Sequence, residues 1–166
     1  MFTNSQSEPL EYQLSGLIRP KGLKLVTAES CTGGLIANRI TDIPGSSDYF
    51  LGGIVAYAYE AKVALLDVSW ETLKTFGAVS PETVLEMARG ARKRLGADLA
   101  ISVSGIAGPG GGMPGKPVGT TWFGLISNSG EWAYLYHFNR DRVQNKSFAA
   151  DTALTILVNY LERGEK

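Results

Sequence analysis

The sequence predicts a single layered α/β domain, residues 1–166, in which helices cover a mixed β-sheet containing an antiparallel hairpin. A chain of 166 residues suits one domain that buries its own core. Short apolar runs typical of strands alternate along it with amphipathic segments typical of helices. Two aromatic-rich runs joined across Asn128-Ser129-Gly130 predict the hairpin, and a hairpin must be antiparallel.

The first half of the chain predicts three helices and two strands. Leu10, Leu14 and Leu17 recur at helical spacing after Ser7, which is expected to cap the first helix. The YFLGGIVAYAY stretch is rich in aromatic and β-branched residues and so favours a strand. The predicted elements are a helix from Ser7, a strand over 23–28, a helix over 35–43, a strand over 49–59 and a short helix over 60–68.

The second half predicts two helices around three strands. Ser80-Pro81-Glu82 is a strong helix start. The predicted elements are a helix from Ser80, a strand over 98–104, a loop over 105–119, the hairpin strands over 120–127 and 131–138, and a last helix over 141–162. The buried stripe of the first of these helices is expected to be Val84, Met87, Ala88, Ala91 and Leu95, and Leu99, Ile101 and Val103 are expected on one side of the strand that follows.

Composition and charge narrow the classes of function. Sixteen Lys and Arg balance sixteen Asp and Glu, which gives a net charge of zero. This charge does not favour binding to nucleic acid or to an acidic membrane surface, so a small-molecule partner is expected. Cys31 and His137 are the single cysteine and histidine, which excludes an internal disulfide and a metal site of Cys/His spacing. No signal-like segment or membrane-length apolar run occurs, so a cytoplasmic protein is expected.

The stretch TAESCTGGLIA places Ser30 at a predicted turn from strand to helix. The N–H groups of Thr32, Gly33 and Gly34 open the helix and could hold a phosphate or a developing oxyanion. The alternative is that Ser30 only caps the helix and that the glycines allow close packing.

A serine nucleophile needs a base, and Lys62 is the main candidate. Histidine is the usual base, but His137 lies in YLYHF without a triad-like arrangement and is interpreted as an edge-strand residue. A lysine can serve when burial or a helix N-terminus lowers its pKa, and Tyr57 could hydrogen-bond the same amine. The alternative is a solvated lysine beside a packed tyrosine. Cys31 is expected to be a small buried residue.

The segment GIAGPGGGMPGKPVG, residues 105–119, predicts a binding loop between two strands. It has neither GxxxxGK[ST] nor glycines that open a helix, so it is neither a P-loop nor a Rossmann fingerprint. Its backbone amides and Lys116 could still cradle one phosphate; the alternative is a proline-stiffened turn. Both this loop and the Ser30 turn follow strand ends, so they could face one pocket. The glycines offered for binding are Gly105, Gly108, Gly110, Gly111 and Gly112.

Four stretches together resemble the CinA C-terminal domain family, the nicotinamide-nucleotide amidases also called PncC. They are TAESCTGGLIA, GGIVAYAYEAKVALLDV, SGIAGPGGG with KPVGT, and the FNRDR element entering the last helix. They occur in the family's order and span most of residues 24–160. The resemblance is to the stand-alone form of the family, which lacks an additional N-terminal domain.

The resemblance implies hydrolysis of the carboxamide of nicotinamide mononucleotide to nicotinic acid mononucleotide and ammonia, without a metal or other cofactor. On that basis Ser30 matches the nucleophile, Lys62 the lysine that activates it and Tyr57 the nearby tyrosine. Ser104 matches a small hydroxyl residue that could assist proton transfer or bind the substrate.

The phosphate-binding residue stays open at this point. Arg142 matches the arginine of the family's GDR-like element, but Arg140 replaces the glycine of that element, and Lys116 is a third candidate. Two other classes of function also stay open: a non-catalytic nucleotide-binding module, and a partner-binding protein linked to competence or DNA damage. Direct DNA contact is not expected from the neutral charge, and the aromatic hairpin could supply a homo-oligomer interface.

Overall fold

Five strands form one mixed sheet in the computed structural model, which describes residues 8–164. Strands β1, β2 and β3 run parallel, whereas β4 is antiparallel to both of its neighbours. The predicted mixed sheet with an antiparallel hairpin is therefore confirmed. The strands are β1 (Leu25–Glu29), β2 (Phe50–Val55), β3 (Leu99–Gly105), β4 (Thr120–Ile126) and β5 (Glu131–His137), in the spatial order β2-β1-β3-β4-β5.

Helices cover both faces of the sheet. The described helices are α1 (Leu10–Ile18), α2 (Leu35–Thr41), α3 (Tyr59–Leu66), α4 (Trp70–Phe76), α5 (Pro81–Leu95) and α6 (Arg142–Glu162). Helices α1, α2 and α6 pack on one face, and α3, α4 and α5 lie on the other. Across residues 8–164, no helix combines the length and the apolar content needed to cross a membrane.

The two faces of β3 belong to two separate apolar cores. Leu99, Ile101 and Val103 join the core under α6, while Ala100 joins the core under α5. The predicted alternation along this strand is therefore confirmed. Because helices cover both faces, both sets of side chains are buried, as is usual for parallel strands between two helical layers.

Several boundaries differ from the predictions. The strand predicted over 49–59 ends at Val55, because β1 ends at Glu29 and offers no backbone partner beyond it. Helix α4 was not predicted. Leu95 is 39% exposed, because it is the last residue of α5 and lies beyond the buried stripe. The predicted cap at Ser7 lies outside the described residues.

Candidate active site

Ser30 lies at the carboxyl edge of the sheet, directly after β1. Its backbone N–H donates to the carbonyl of Val103 at 3.0 Å, which ties the turn to β3. The next helix begins only at Leu35, and its N-cap is Gly34, with φ of 99°. The predicted strand-to-helix turn is confirmed, and the alternative that Ser30 only caps the helix is wrong.

The carboxylate of Glu29 fills the start of α2. The side chain is fully buried. One oxygen, Oε2, accepts from the Thr32 hydroxyl at 2.7 Å, from Gly34 N at 3.1 Å and from Ile36 N at 3.0 Å, and Oε1 accepts from Ala37 N at 2.8 Å. The first N–H groups of a helix have no acceptor within the helix, and the Glu29 carboxylate accepts from three of them here. Its negative charge also complements the positive end of the helix dipole.

Two of the three N–H groups expected to bind an anion after Ser30 are used within the chain. The Thr32 hydroxyl and the Gly34 N–H donate to Glu29, and the Gly33 N–H donates to the Ser30 carbonyl at 3.1 Å. These bonds occupy the Gly33 and Gly34 N–H groups, which are therefore not free to hold a phosphate or an oxyanion. The role expected of the Thr32 N–H stays a prediction. The signal that was missed is a helix without a Ser, Thr, Asp or Asn at its N-cap, since its donors must find an acceptor elsewhere.

Replacing Glu29 should destabilise the domain strongly. In Glu29→Ala, four donors at the start of α2 lose their acceptor. The free energy of unfolding should fall by roughly 3 to 5 kcal/mol, because several buried donors lose hydrogen bonds to a charged acceptor. Urea unfolding measures this. Glu71→Ala, in the first turn of α4 and exposed, should change stability by less than about 0.5 kcal/mol. Equal effects of the two substitutions would contradict this role of Glu29.

Ser30 and Lys62 meet in a hydrogen bond. The Lys62 Nζ lies 2.8 Å from the Ser30 Oγ, and it donates to the carbonyls of Ala56 at 2.9 Å and Tyr57 at 3.0 Å. Lys62 is only 1% exposed, so the alternative of a solvated helix lysine is wrong. Burial lowers the pKa of Lys62 from 10.5 to about 8, because desolvation disfavours the ammonium form.

The short helix α3 holds Lys62 in place from both ends. The Lys62 N–H donates to the Ala58 carbonyl at 3.1 Å and so closes the first turn. At the other end, the Leu66 backbone packs against Gly90 of α5. A Cβ at position 90 would stand 1.8 Å from the Leu66 carbonyl oxygen, so only glycine permits this approach. Contacts with α5 therefore set the position of the lysine.

Tyr57 contacts Lys62 through its backbone and Arg142 through its side chain. The carbonyl accepts from Lys62, whereas the phenolic oxygen accepts from Arg142 Nη2 at 2.8 Å. This corrects the expectation that the phenol bonds the lysine. Arg142 Nη1 also donates to the Gly108 carbonyl at 2.7 Å. Arg142 thus connects the segment before α3 to the glycine-rich loop.

Ser104 lies beside Ser30 in the sheet register. Glu29 pairs with Val103 across β1 and β3, so Ser30, directly after β1, and Ser104, in β3, are neighbours at the carboxyl edge. Ser104 is buried. Because β1 and β3 are adjacent and parallel, the Ser30 turn and the glycine-rich loop begin at the same edge.

Cys31 is a buried residue of the core under α6, as expected. Burial raises the pKa of its thiol to about 11, so the thiol is protonated near neutral pH and is a poor nucleophile. His137 is an exposed residue of the edge strand β5, with Nδ1 3.3 Å from the Thr120 hydroxyl, which agrees with the interpretation above.

The outer part of the glycine-rich loop folds on itself. Met113 and Lys116 exchange two backbone hydrogen bonds of 3.0 and 2.9 Å, and the Lys116 ammonium donates to the Phe76 carbonyl at the end of α4, at 2.8 Å. Lys116 therefore has a partner in α4. The exposed glycines of this part are Gly110, Gly111, Gly112 and Gly115.

Arg140 and Arg142 border an open groove beside the same loop. The groove has a volume of about 460 Å³, and Gly108 also lines it. The Arg140 guanidinium stacks over the Phe148 ring at 5.9 Å. Of the two arginines, only Arg142 forms a hydrogen bond to Tyr57, which precedes the helix that carries Lys62.

Comparisons with known proteins identify the family of the chain. The model of the CinA C-terminal domain matches residues 7–161. A CinA-like protein of Chloroherpeton thalassium is 49% identical over 153 residues, which cover 90% of this chain but only 36% of that relative. The chain therefore spans little more than a third of this longer relative.

Solved structures match over nearly their whole length. The competence damage-inducible protein A of Klebsiella pneumoniae is 35% identical, with a TM-score of 0.91 over 94% of this chain and 97% of the other. The competence/damage inducible protein CihA of Agrobacterium tumefaciens is 40% identical, with a TM-score of 0.86 over 94% and 97%. The family model, the similar sequences and the similar folds agree, and the chain belongs to the CinA C-terminal domain family.

Proposed function

We propose that this domain hydrolyses the carboxamide of nicotinamide mononucleotide, giving nicotinic acid mononucleotide and ammonia. The observation that carries the proposal is the 2.8 Å contact between the Ser30 hydroxyl and the buried amine of Lys62. A hydroxyl becomes an effective nucleophile when a neighbouring base accepts its proton, and serine–lysine pairs supply this chemistry without histidine. The substrate follows from the resemblance of the surrounding motifs to the amidases of the family.

The surroundings of Lys62 suit a neutral amine. Such an amine has two N–H groups and one lone pair. The carbonyls of Ala56 and Tyr57 can accept the two N–H groups, at 2.9 and 3.0 Å, which leaves the lone pair directed at the Ser30 hydroxyl. A lysine whose pKa is about 8 is neutral in a useful fraction of molecules near neutral pH.

The first half of the reaction forms an acyl-enzyme. Lys62 takes the Ser30 proton while Oγ bonds to the carboxamide carbon, and the carbonyl electron pair moves onto its oxygen. The hydroxyl of Ser104, beside Ser30, can donate to that oxygen. When the tetrahedral intermediate collapses, the C–N bond breaks, and Lys62 returns its proton to the leaving amide nitrogen, which departs as ammonia.

The second half releases the acid. A water molecule gives its proton to neutral Lys62 and attacks the acyl carbon, and the ester bond to Oγ breaks. Lys62 then protonates Oγ, which restores the starting state. The phosphate, remote from the reacting carbon, supplies binding energy that positions the carboxamide.

An ammonia-release assay tests the proposal directly. The protein is given nicotinamide, nicotinamide riboside and nicotinamide mononucleotide at equal concentrations. We expect the highest kcat/KM with the mononucleotide. Absence of ammonia from all three would overturn the proposal and favour a nucleotide-binding module.

The pH dependence of kcat/KM should report the titration of Lys62. The amine must be neutral to accept a proton, and its pKa is about 8. Activity should therefore rise roughly 50-fold from pH 6 to pH 8 and level off above that. Initial rates between pH 6 and 10 give the profile. A flat profile between pH 6 and 9 would argue against lysine as the base.

A further inference from the structure

Lys146 is a basic residue beside the Ser30 turn that the sequence patterns did not single out. Its Nζ lies 3.8 Å from the position that a Cβ on Gly33 would occupy, and it is the only atom outside residues 32–34 within 4 Å of that position in the described chain. Gly33 is exposed and is the third residue after Ser30. The ammonium therefore stands over the outer surface of the turn that carries the nucleophile.

The Lys146 ammonium has no anionic partner in the part of the chain that the structure describes. The ion pairs found within residues 8–164 use Arg39, Arg89 and Arg94 as their cations. None of the hydrogen bonds found there involves the Lys146 Nζ. Lys146 is partly buried, and an incompletely solvated charge gains more from an anion than an exposed charge does.

A second cation lies one turn earlier on α6. Arg142 precedes Lys146 by four residues, a spacing that puts both side chains on one face of the helix with Cβ atoms about 5 to 6 Å apart. Like charges at this spacing destabilise a helix. The Arg142 guanidinium is fixed by the Gly108 carbonyl and the Tyr57 phenol. The nearby carboxylate of Asp141 accepts from the Gln144 N–H.

We propose that Lys146 and Arg142 form an anion subsite for the phosphate of the substrate, and that Lys146 selects the nucleotide over its nucleoside. The inference rests on the proposed amidase function. A phosphate monoester carries close to two negative charges, which two cations match, and both side chains are suited to phosphate oxygens. Because Glu29 already fills the start of α2, the cations that meet the phosphate come from α6.

Substitutions at Lys146 test the subsite through a ratio of rates. For each variant, kcat/KM with nicotinamide mononucleotide is divided by kcat/KM with nicotinamide riboside. In Lys146→Met this ratio should fall roughly 10- to 100-fold, the loss expected when a charged hydrogen bond is removed. Lys146→Arg should restore most of it. Lys93→Met, which removes an exposed lysine from the last turn of α5, should leave the ratio unchanged. An unchanged ratio in Lys146→Met would overturn the proposal.

A binding measurement separates this proposal from the amidase function. Calorimetry compares the binding of both nicotinamide compounds to Ser30→Ala and to Ser30→Ala/Lys146→Met. Loss of mononucleotide affinity alone in the double variant would support the subsite, even if the natural protein released no ammonia. Equal mononucleotide affinity of the two proteins, or equal losses for the nucleotide and the nucleoside, would overturn it.

Discussion

Ser30→Ala is expected to reduce kcat for ammonia release by at least about 10⁴-fold, because the substitution removes the atom that bonds to the substrate in the proposed mechanism. Its affinity for the mononucleotide should stay within about threefold of that of the natural protein, since the backbone bond from Ser30 to Val103 does not involve the hydroxyl. Ammonia release measures the first effect, and calorimetry measures the second.

A matched control for this substitution is Ser102→Ala. Ser102 is also a buried serine at a strand of the same sheet, and its hydroxyl donates to the Val84 carbonyl at 2.5 Å. Its replacement should lower stability by about 1 kcal/mol and leave kcat within about threefold. Near-normal turnover by Ser30→Ala would remove the serine from the mechanism and, with it, the acyl-enzyme.

Lys62→Met is the second change for which a large effect is expected. Without the amine nothing accepts the Ser30 proton, so kcat should fall to about the level of Ser30→Ala. Because the two residues act as a unit, the double variant should be little worse than either single variant. A double variant that multiplied the two losses would show that the residues act independently.

The same substitution should change how stability depends on pH. The pKa of Lys62 is about 8 in the folded protein and 10.5 as the ordinary value, so the unfolded chain binds more protons between these values and stability rises with pH there. The free energy of unfolding of the natural protein, relative to Lys62→Met, should therefore increase by about 2 to 3 kcal/mol from pH 7 to pH 10.

Urea unfolding at the two pH values measures this difference. Lys74→Met is the control, because Lys74 is an exposed lysine of α4 and its difference from the natural protein should not depend on pH. A pH-independent difference for Lys62→Met would mean that the buried amine keeps an ordinary pKa.

The elements that the sequence predicted well have strong local signals. The start of α5 follows from Ser80 and Pro81, and the Ser80 hydroxyl accepts from the Thr83 N–H at 3.2 Å. The hairpin follows from its turn and its alternating aromatic residues. The predicted strand over 49–59 was too long, because β2 ends where its neighbour β1 stops. That limit depends on the neighbouring strand and cannot be predicted from the local residues.

The candidate site was predictable only in part for the same reason. The Ser30 turn and the place of Lys62 early in a helix are local features, but the hydrogen bond between them depends on how α3 packs against α5 at Gly90. The role of Glu29 was missed because a carboxylate at the end of a strand has no pattern of its own. Lys146 was missed because its relation to Gly33 exists only after α6 has docked.

The internal carboxylate at the start of α2 also affects how the domain handles its ligands. An anion that belongs to the chain cannot diffuse away, so we expect the turn after Ser30 to keep one shape with and without a bound substrate. Substrate association then need not spend free energy on ordering that turn. In the proposed function, selectivity then rests with the glycine-rich loop and α6, whose side chains lie outside the hydrogen bonds of Glu29.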